Sequence, residues 1–120
     1  FYFKFIKRQN PYSIEAVNDL LKKFKKNIDL IKGNSNKILK NIDMSKIDFV
    51  FLDGGHKYET VKNDLECCLK VIRSNGVIIC ADYNFGHLPD VRNAIDEFVN
   101  QNNLTCSILC NGRFAKIVDN

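Results

Sequence analysis

The stretch Ile47-Asp48-Phe49-Val50-Phe51-Leu52-Asp53-Gly54-Gly55-His56 decides the fold. Its first six residues are almost continuously apolar, the pattern of a central parallel strand covered on both faces. The run then breaks into Asp53-Gly54-Gly55-His56, so a polar cluster is expected at the carboxyl end of the strand. A second run, Val77-Ile78-Ile79-Cys80-Ala81, repeats the pattern and ends in Asp82-Tyr83-Asn84. Between the two, Tyr58, Val61, Leu65, Cys68, Leu69 and Ile72 recur at a 3.6-residue period. That period predicts a helix over 57–73, with Gly76 as the left-handed residue that follows it. Strand, helix and strand in this order imply a parallel sheet with a right-handed crossover, whose ligand crevice lies outside the carboxyl ends of the strands.

Working outward, residues 1–7 are aromatic and β-branched and read as a strand, closed by Gln9-Asn10-Pro11. Ser13 is a good N-cap for a helix to about Lys26, with Ile14, Val17, Leu20, Leu21 and Phe24 on one stripe. Residues 28–31 read as a short strand stopped by Lys32-Gly33-Asn34, after which Ser35 caps a brief helix carrying Ile38, Leu39 and Ile42. Beyond Asp82, Pro89 suits a first helical turn, and Val91, Ala94, Ile95, Phe98 and Val99 form an amphipathic helix. Two β-rich runs, 104–110 and 113–118, flank Asn111-Gly112, the strongest short hairpin signal. The fold class expected is therefore α/β, a doubly wound, mostly parallel sheet with a C-terminal antiparallel hairpin.

At 120 residues the chain is one domain, long enough for a core without staples. With 45% hydrophobic and 27% charged residues it has an ordinary globular composition, which excludes wholesale disorder. No apolar window approaches the 18 residues of a membrane span, and no signal peptide is visible. The five cysteines are odd in number and lack metal-ligand spacing, so buried free thiols in a reducing cytoplasm are expected. The net charge of +4 has its densest patch at Lys22, Lys23, Lys25 and Lys26. Without interleaved aromatics this is a solvated helix face, and no nucleic acid or membrane partner is expected. A start at Phe1, in strand-like sequence, is expected of a piece of a longer polypeptide.

Two strands thus bring Asp53 and Asp82 to one edge of the sheet, with His56 three residues past the first. Asp53 and Asp82 read either as caps of the helices that follow or as a carboxylate pair holding a divalent cation or polar ligand. Asp-Gly-Gly-His reads either as a turn, with Gly54 and Gly55 supplying positive φ, or as a loop presenting His56 as a base. Tyr58 fits the helix stripe, Tyr83 fits packing or ligand contact, and Asn34 and Ser35 fit a turn or a ligand contact. His87 reads as solvated, and no thiol has a neighbouring base in the sequence to activate it.

The sequence 47–58, Asp64-Leu65, Arg73-Ser74-Asn75-Gly76-Val77-Ile78-Ile79 and Asp82-Tyr83 together resemble the second half of a class I S-adenosylmethionine-dependent methyltransferase. The similarity covers about residues 27–118 and is to the small-molecule O-methyltransferase-like branch, whose fourth strand ends in Asp-Gly-x-His-x-Tyr. The resemblance implies a Rossmann-like sheet with an antiparallel last strand. It implies S-adenosylmethionine as cofactor, held by Gly33, Asn34, Ser35 and Asp53. It further implies His56 and Asp53 as catalytic residues, and Asp53 with Asp82 as ligands of Mg2+. Two departures stand out: Ala81 replaces the first acid of the family's metal-binding pair, and no Gly-x-Gly loop precedes Asp53. Residues 1–7 would match the family's second strand, yet they end in Lys7-Arg8 where an acidic ribose partner is expected.

The expected function is methyl transfer from S-adenosylmethionine to a hydroxyl of a small molecule. The expected organisation is one methyltransferase-like domain over 1–120 lacking its first strand and helix. A non-catalytic, degenerate module of the same fold is the main alternative; it could self-associate as a homo-oligomer through an open sheet edge. A different nucleotide-binding α/β domain is a third, weakened by the lack of Gly-x-Gly-x-x-Gly and of clustered acids at a first strand end.

Overall fold

The computed structural model describes residues 13–41, 47–84, 86 and 89–119, so the strand expected over 1–7, Ile42 and His87 lie outside the described residues. The chain divides into two compact units, Phe1–Gly33 and Asn34–Asn120.

In the first unit, Ser13 is the expected N-cap, its Oγ accepting from the Ala16 N–H at 3.2 Å. The helix it starts, α1 (Ile14–Leu21), ends earlier than its apolar stripe suggests and tightens into a 3-10 segment, Lys22–Asn27. Like charges at helical spacing, such as Lys22 with Lys26, oppose continuation of the α-helix. All four lysines are exposed, as a solvated face requires. The strand expected over 28–31 does not form. Ile28 is extended (φ −136°, ψ 126°), but a strand also needs a partner for its N–H and C=O groups, and none is found among the described residues.

The second unit begins with α2 (Ser35–Ile38) and a short 3-10 turn, Leu39–Asn41. Asn34, not Ser35, caps α2: its side-chain oxygen accepts from the Asn36 N–H at 3.0 Å, which leaves the Ser35 hydroxyl for another partner. Then follow β1 (Ile47–Leu52), α3 (Tyr58–Val71), β2 (Ile72–Ala81), α4 (Asp90–Gln101), β3 (Thr105–Leu109) and β4 (Phe114–Val118). The sheet order is β1-β2-β4-β3, with β1 parallel to β2 and β4 antiparallel to both its neighbours. This is the expected α/β architecture with its C-terminal hairpin. The hairpin turn is type I′: Asn111 (φ 55°) and Gly112 (φ 91°) occupy its centre, and the Arg113 N–H donates to Cys110 O at 3.2 Å.

Leu65 and Cys68 of α3 and Ala94, Ile95 and Phe98 of α4 pack on one face of the sheet, against Ile78, Cys80, Ala115 and Ile117. Tyr58 and Lys62 of α3 join Glu97 of α4, the phenol donating to Oε2 at 2.5 Å and the ammonium to Oε1 at 2.7 Å. Coverage of β1 on both faces does not hold within this unit. Val50 and Leu52 pack against the core, whereas Phe49 and Phe51, on the opposite face by strand alternation, are 57% and 51% exposed.

Gly76 differs from expectation as well. The left-handed residue after α3 is Asn75 (φ 66°), and Gly76 is needed for close approach: a Cβ there would lie 2.4 Å from Ile72 Cγ1 and 2.8 Å from Arg73 O. Residues between Ile72 and Val77 bulge out, since Ile47 pairs with Ile72 while Phe49 pairs with Val77. Among the cysteines, Cys67, Cys68 and Cys80 are buried as expected, Cys106 is half-buried and Cys110 is exposed beside the hairpin turn.

Candidate active site

The parallel pair β1–β2 ends with both carboxyl termini on one edge, and there the two polar clusters meet. His56 Nε2 lies 3.0 Å from Asp82 Oδ2 across 26 positions of sequence. Neither group is sealed from water, the His56 side chain being 40% and the Asp82 side chain 24% exposed. Because a carboxylate only accepts hydrogen bonds, this contact places a proton on Nε2. In the neutral ring the lone pair is then on Nδ1, the arrangement of a base oriented by an acid.

The backbone shows why the pair forms. Asp82 has φ 59°, a left-handed conformation that Asp and Asn tolerate better than most residues. Gly54 and Gly55, read in the sequence as positive-φ positions, are not among the residues with positive φ. Gly55 instead lies close to Thr60: a Cβ there would stand 3.1 Å from Thr60 Cγ2, which would have to give by a few tenths of an ångström. The capping alternative for both aspartates is overturned: the N-cap of α3 is Lys57 and that of α4 is Pro89. Asp53 is exposed and lines the same small cleft as Gly54, His56, Asp64 and Asp82.

Asp64 carries no site signal in the sequence beyond its place in Asp64-Leu65. Among the described residues it is the buried charged one, 6% exposed, and its Oδ2 accepts from Ser35 Oγ at 3.1 Å. Ser35 and Asn34 are thus both committed to internal bonds, Asn34 as the α2 cap. Gly33 is an exposed bend at the end of the first unit. Next to them, Asn36 donates to Thr60 Oγ1 at 3.5 Å while its Oδ1 is buried without a hydrogen-bond partner. A helical polar residue just past a cap gave no sequence signal; only the fold buries its oxygen.

A family model described as a methyltransferase domain matches residues 5–83, more than half of the chain. The chain belongs to this methyltransferase-domain family. Its fold is also that of solved methyltransferases. It is similar to SAH-bound Podospora anserina methyltransferase PaMTH1, at 17% identity and a TM-score of 0.62, over 92% of this chain and 58% of that one. It is similar to CalS11, a TDP-rhamnose 3'-O-methyltransferase in calicheamicin biosynthesis, at 15% and 0.60, over 74% and 40%. A third likeness is to the O-methyltransferase from Bacillus cereus in complex with SAH, at 16% and 0.53, over 88% and 57%. The chain spans about half the length of these structures. A search of curated proteins returns no match.

Within this methyltransferase domain Tyr58 and Tyr83 make internal bonds. Tyr83 is buried and donates to Asp96 Oδ1 at 2.7 Å, and burial followed by that bond raises its pKa. The Tyr58 pKa is raised chiefly by its bond to Glu97, whose own pKa is lowered first by Lys62. The arrangement gives no support to Mg2+. The Ala81 side chain offers no oxygen, His56 takes up Asp82 Oδ2, and no group of three His, Cys, Asp or Glu side chains suited to a metal occurs among the described residues. Mg2+ takes an octahedron of oxygens, usually one or two carboxylates completed by waters, and the other acid of the family's pair is the ligand that Ala81 does not supply. No helix among the described residues is long and apolar enough to cross a membrane.

Proposed function

We propose that the chain forms the acceptor side of an S-adenosylmethionine-dependent methyltransferase acting on a hydroxyl of a small molecule. The observation that carries this is the 3.0 Å contact of His56 Nε2 with Asp82 Oδ2 at the joined carboxyl ends of β1 and β2. When bound, S-adenosylmethionine supplies an electrophilic methyl on a positively charged sulfur. A hydroxyl attacks such a methyl better as its proton leaves, and His56 Nδ1 is the base that takes it. Asp82 holds the imidazole in the tautomer that leaves Nδ1 basic and stabilises the imidazolium that forms. Asp53, which lines the same cleft, would orient the acceptor hydroxyl and help hold the cofactor.

The nucleoside end is assigned to Gly33, Asn34 and Ser35. The buried, unpaired Asn36 Oδ1 supports this region as a ligand site, because an unsatisfied buried acceptor costs about 1–3 kcal/mol that a donor such as the adenine amino group relieves. The Asn34 cap and the Ser35–Asp64 bond keep this segment in place. The test is calorimetric titration of S-adenosylmethionine into this chain and into the full-length natural protein that carries it. Binding by the full-length protein is expected, and absence of binding by both would favour the non-catalytic module.

A further inference from the structure

The carboxylate that holds His56 is itself held from the far end of the chain. In β2 and β4, Ala81 pairs with Phe114, and regular continuation would set Tyr83 opposite Gly112. Instead the Tyr83 N–H donates to Arg113 O at 3.2 Å, and the Asn84 N–H donates to Gly112 O at 3.0 Å. Both bonds fall one position off that register, beyond the end of the ladder at Ala81 and Phe114, and Asp82, at φ 59°, takes up the extra residue in a bulge-like turn. Side-chain directions agree. Val77, Ile79 and Ala81 alternate with the buried Ile78 and Cys80, so without a bulge Tyr83 would point away from the helices. Yet Tyr83 is 7% exposed and reaches Asp96 on α4.

The hairpin turn supplies the acceptors of both bonds, at Gly112 and Arg113. Gly112 lies so close that a Cβ on it would be 2.3 Å from Asn84 Nδ2 and 3.2 Å from Asn84 Cγ, and its φ of 91° also favours glycine. We propose that the Asn111-Gly112 turn is a positioning element of the candidate active site: by clamping the Tyr83-Asn84 backbone it fixes the bulge that aims Asp82 at His56. The proposal rests on the reading of His56 as a base only for its catalytic consequence; the positioning itself is a statement about geometry. Bulges next to active sites commonly re-aim a side chain in this way.

The test uses Gly112→Asn, since asparagine tolerates positive φ and the change therefore isolates the collision with Asn84. Long-range proton–nitrogen correlation spectra of the His56 ring, in the full-length natural protein, report which nitrogen carries the proton. The wild type is expected to show the Nε2-protonated ring. Gly112→Asn is expected to lose that signature and, where methyl transfer is measurable, to lower kcat roughly 10- to 100-fold with little change in cofactor affinity. Adding Asn84→Ala, which removes the colliding atoms, is expected to restore both. Ser107→Gly, on exposed β3, weakens the hairpin away from the turn and is expected to leave the ring signature intact.

A folded Gly112→Asn protein with an unchanged His56 signature overturns the proposal, as does equal loss in Ser107→Gly. If Gly112→Asn does not fold, Asn111→Ala loosens the same turn without the collision, and retention of the wild-type signature there also overturns it. Absence of methyl transfer with a signature that follows the turn would remove the functional reading and leave the positioning intact.

Discussion

His56 and Asp82 show what one residue can and cannot announce. Asp and His at strand ends were visible as chemistry-bearing types, but the left-handed backbone that joins them arises from bonds to Arg113 and Gly112, far along the chain. Substitutions at Asp82 separate backbone from charge. Asp82→Asn keeps tolerance of φ 59° and is expected to lower turnover with little loss of stability, whereas Asp82→Ala should also lose about 1–2 kcal/mol, read by urea unfolding. The thiols behave differently from one another. Burial pushes Cys80 up to about 12 and Cys68 up to about 11, while Cys110 is exposed. Iodoacetamide under native conditions should therefore label Cys110 first and reach Cys68 and Cys80 only on unfolding, as followed by mass spectrometry. A thiol whose folded pKa is raised keeps its proton while the unfolded chain begins to lose it near the ordinary thiol value of 9.0. Stability contributed by Cys80 is thus complete below about pH 9 and is lost as pH rises toward about 12, a slope that Cys80→Val should flatten in urea midpoints.

At the scale of elements, the pairing of strand and helix was legible because the apolar runs at 47–52 and 77–81 and the 3.6 period between them have no competing interpretation. The turn at Asn111-Gly112 was legible for a similar reason, since few dipeptides accept two positive φ angles. What sequence could not supply was tertiary. Residues 28–31 have strand composition but no ladder partner among the described residues, and Gly76 is dictated by the nearby Ile72 side chain and Arg73 carbonyl. Gly76→Ala is accordingly expected to destabilise by about 1–3 kcal/mol through overpacking, measured by chemical denaturation. The two faces of the sheet should also differ. Phe98→Ala, at a side chain only 1% exposed, is expected to cost about 3–5 kcal/mol, and Phe49→Ala, at 57% exposed, distinctly less. Equal losses would contradict the assignment of the core to the α3–α4 face.

For the molecule as a whole, family membership follows from the match over residues 5–83, and the α/β fold agrees with what the strand and helix periods imply. Function is carried by the site placed on that fold, not by the fold itself. On the function proposed above, proton removal at the acceptor hydroxyl rests on His56, oriented by Asp82. The most direct measurement is methyl transfer from labelled S-adenosylmethionine to hydroxyl-bearing small molecules by the full-length natural protein and its His56→Ala variant, with cofactor affinity determined in parallel by calorimetry. The account predicts a fall in turnover of roughly 10²- to 10⁴-fold with cofactor affinity nearly unchanged. Equal turnover in the two proteins would contradict it.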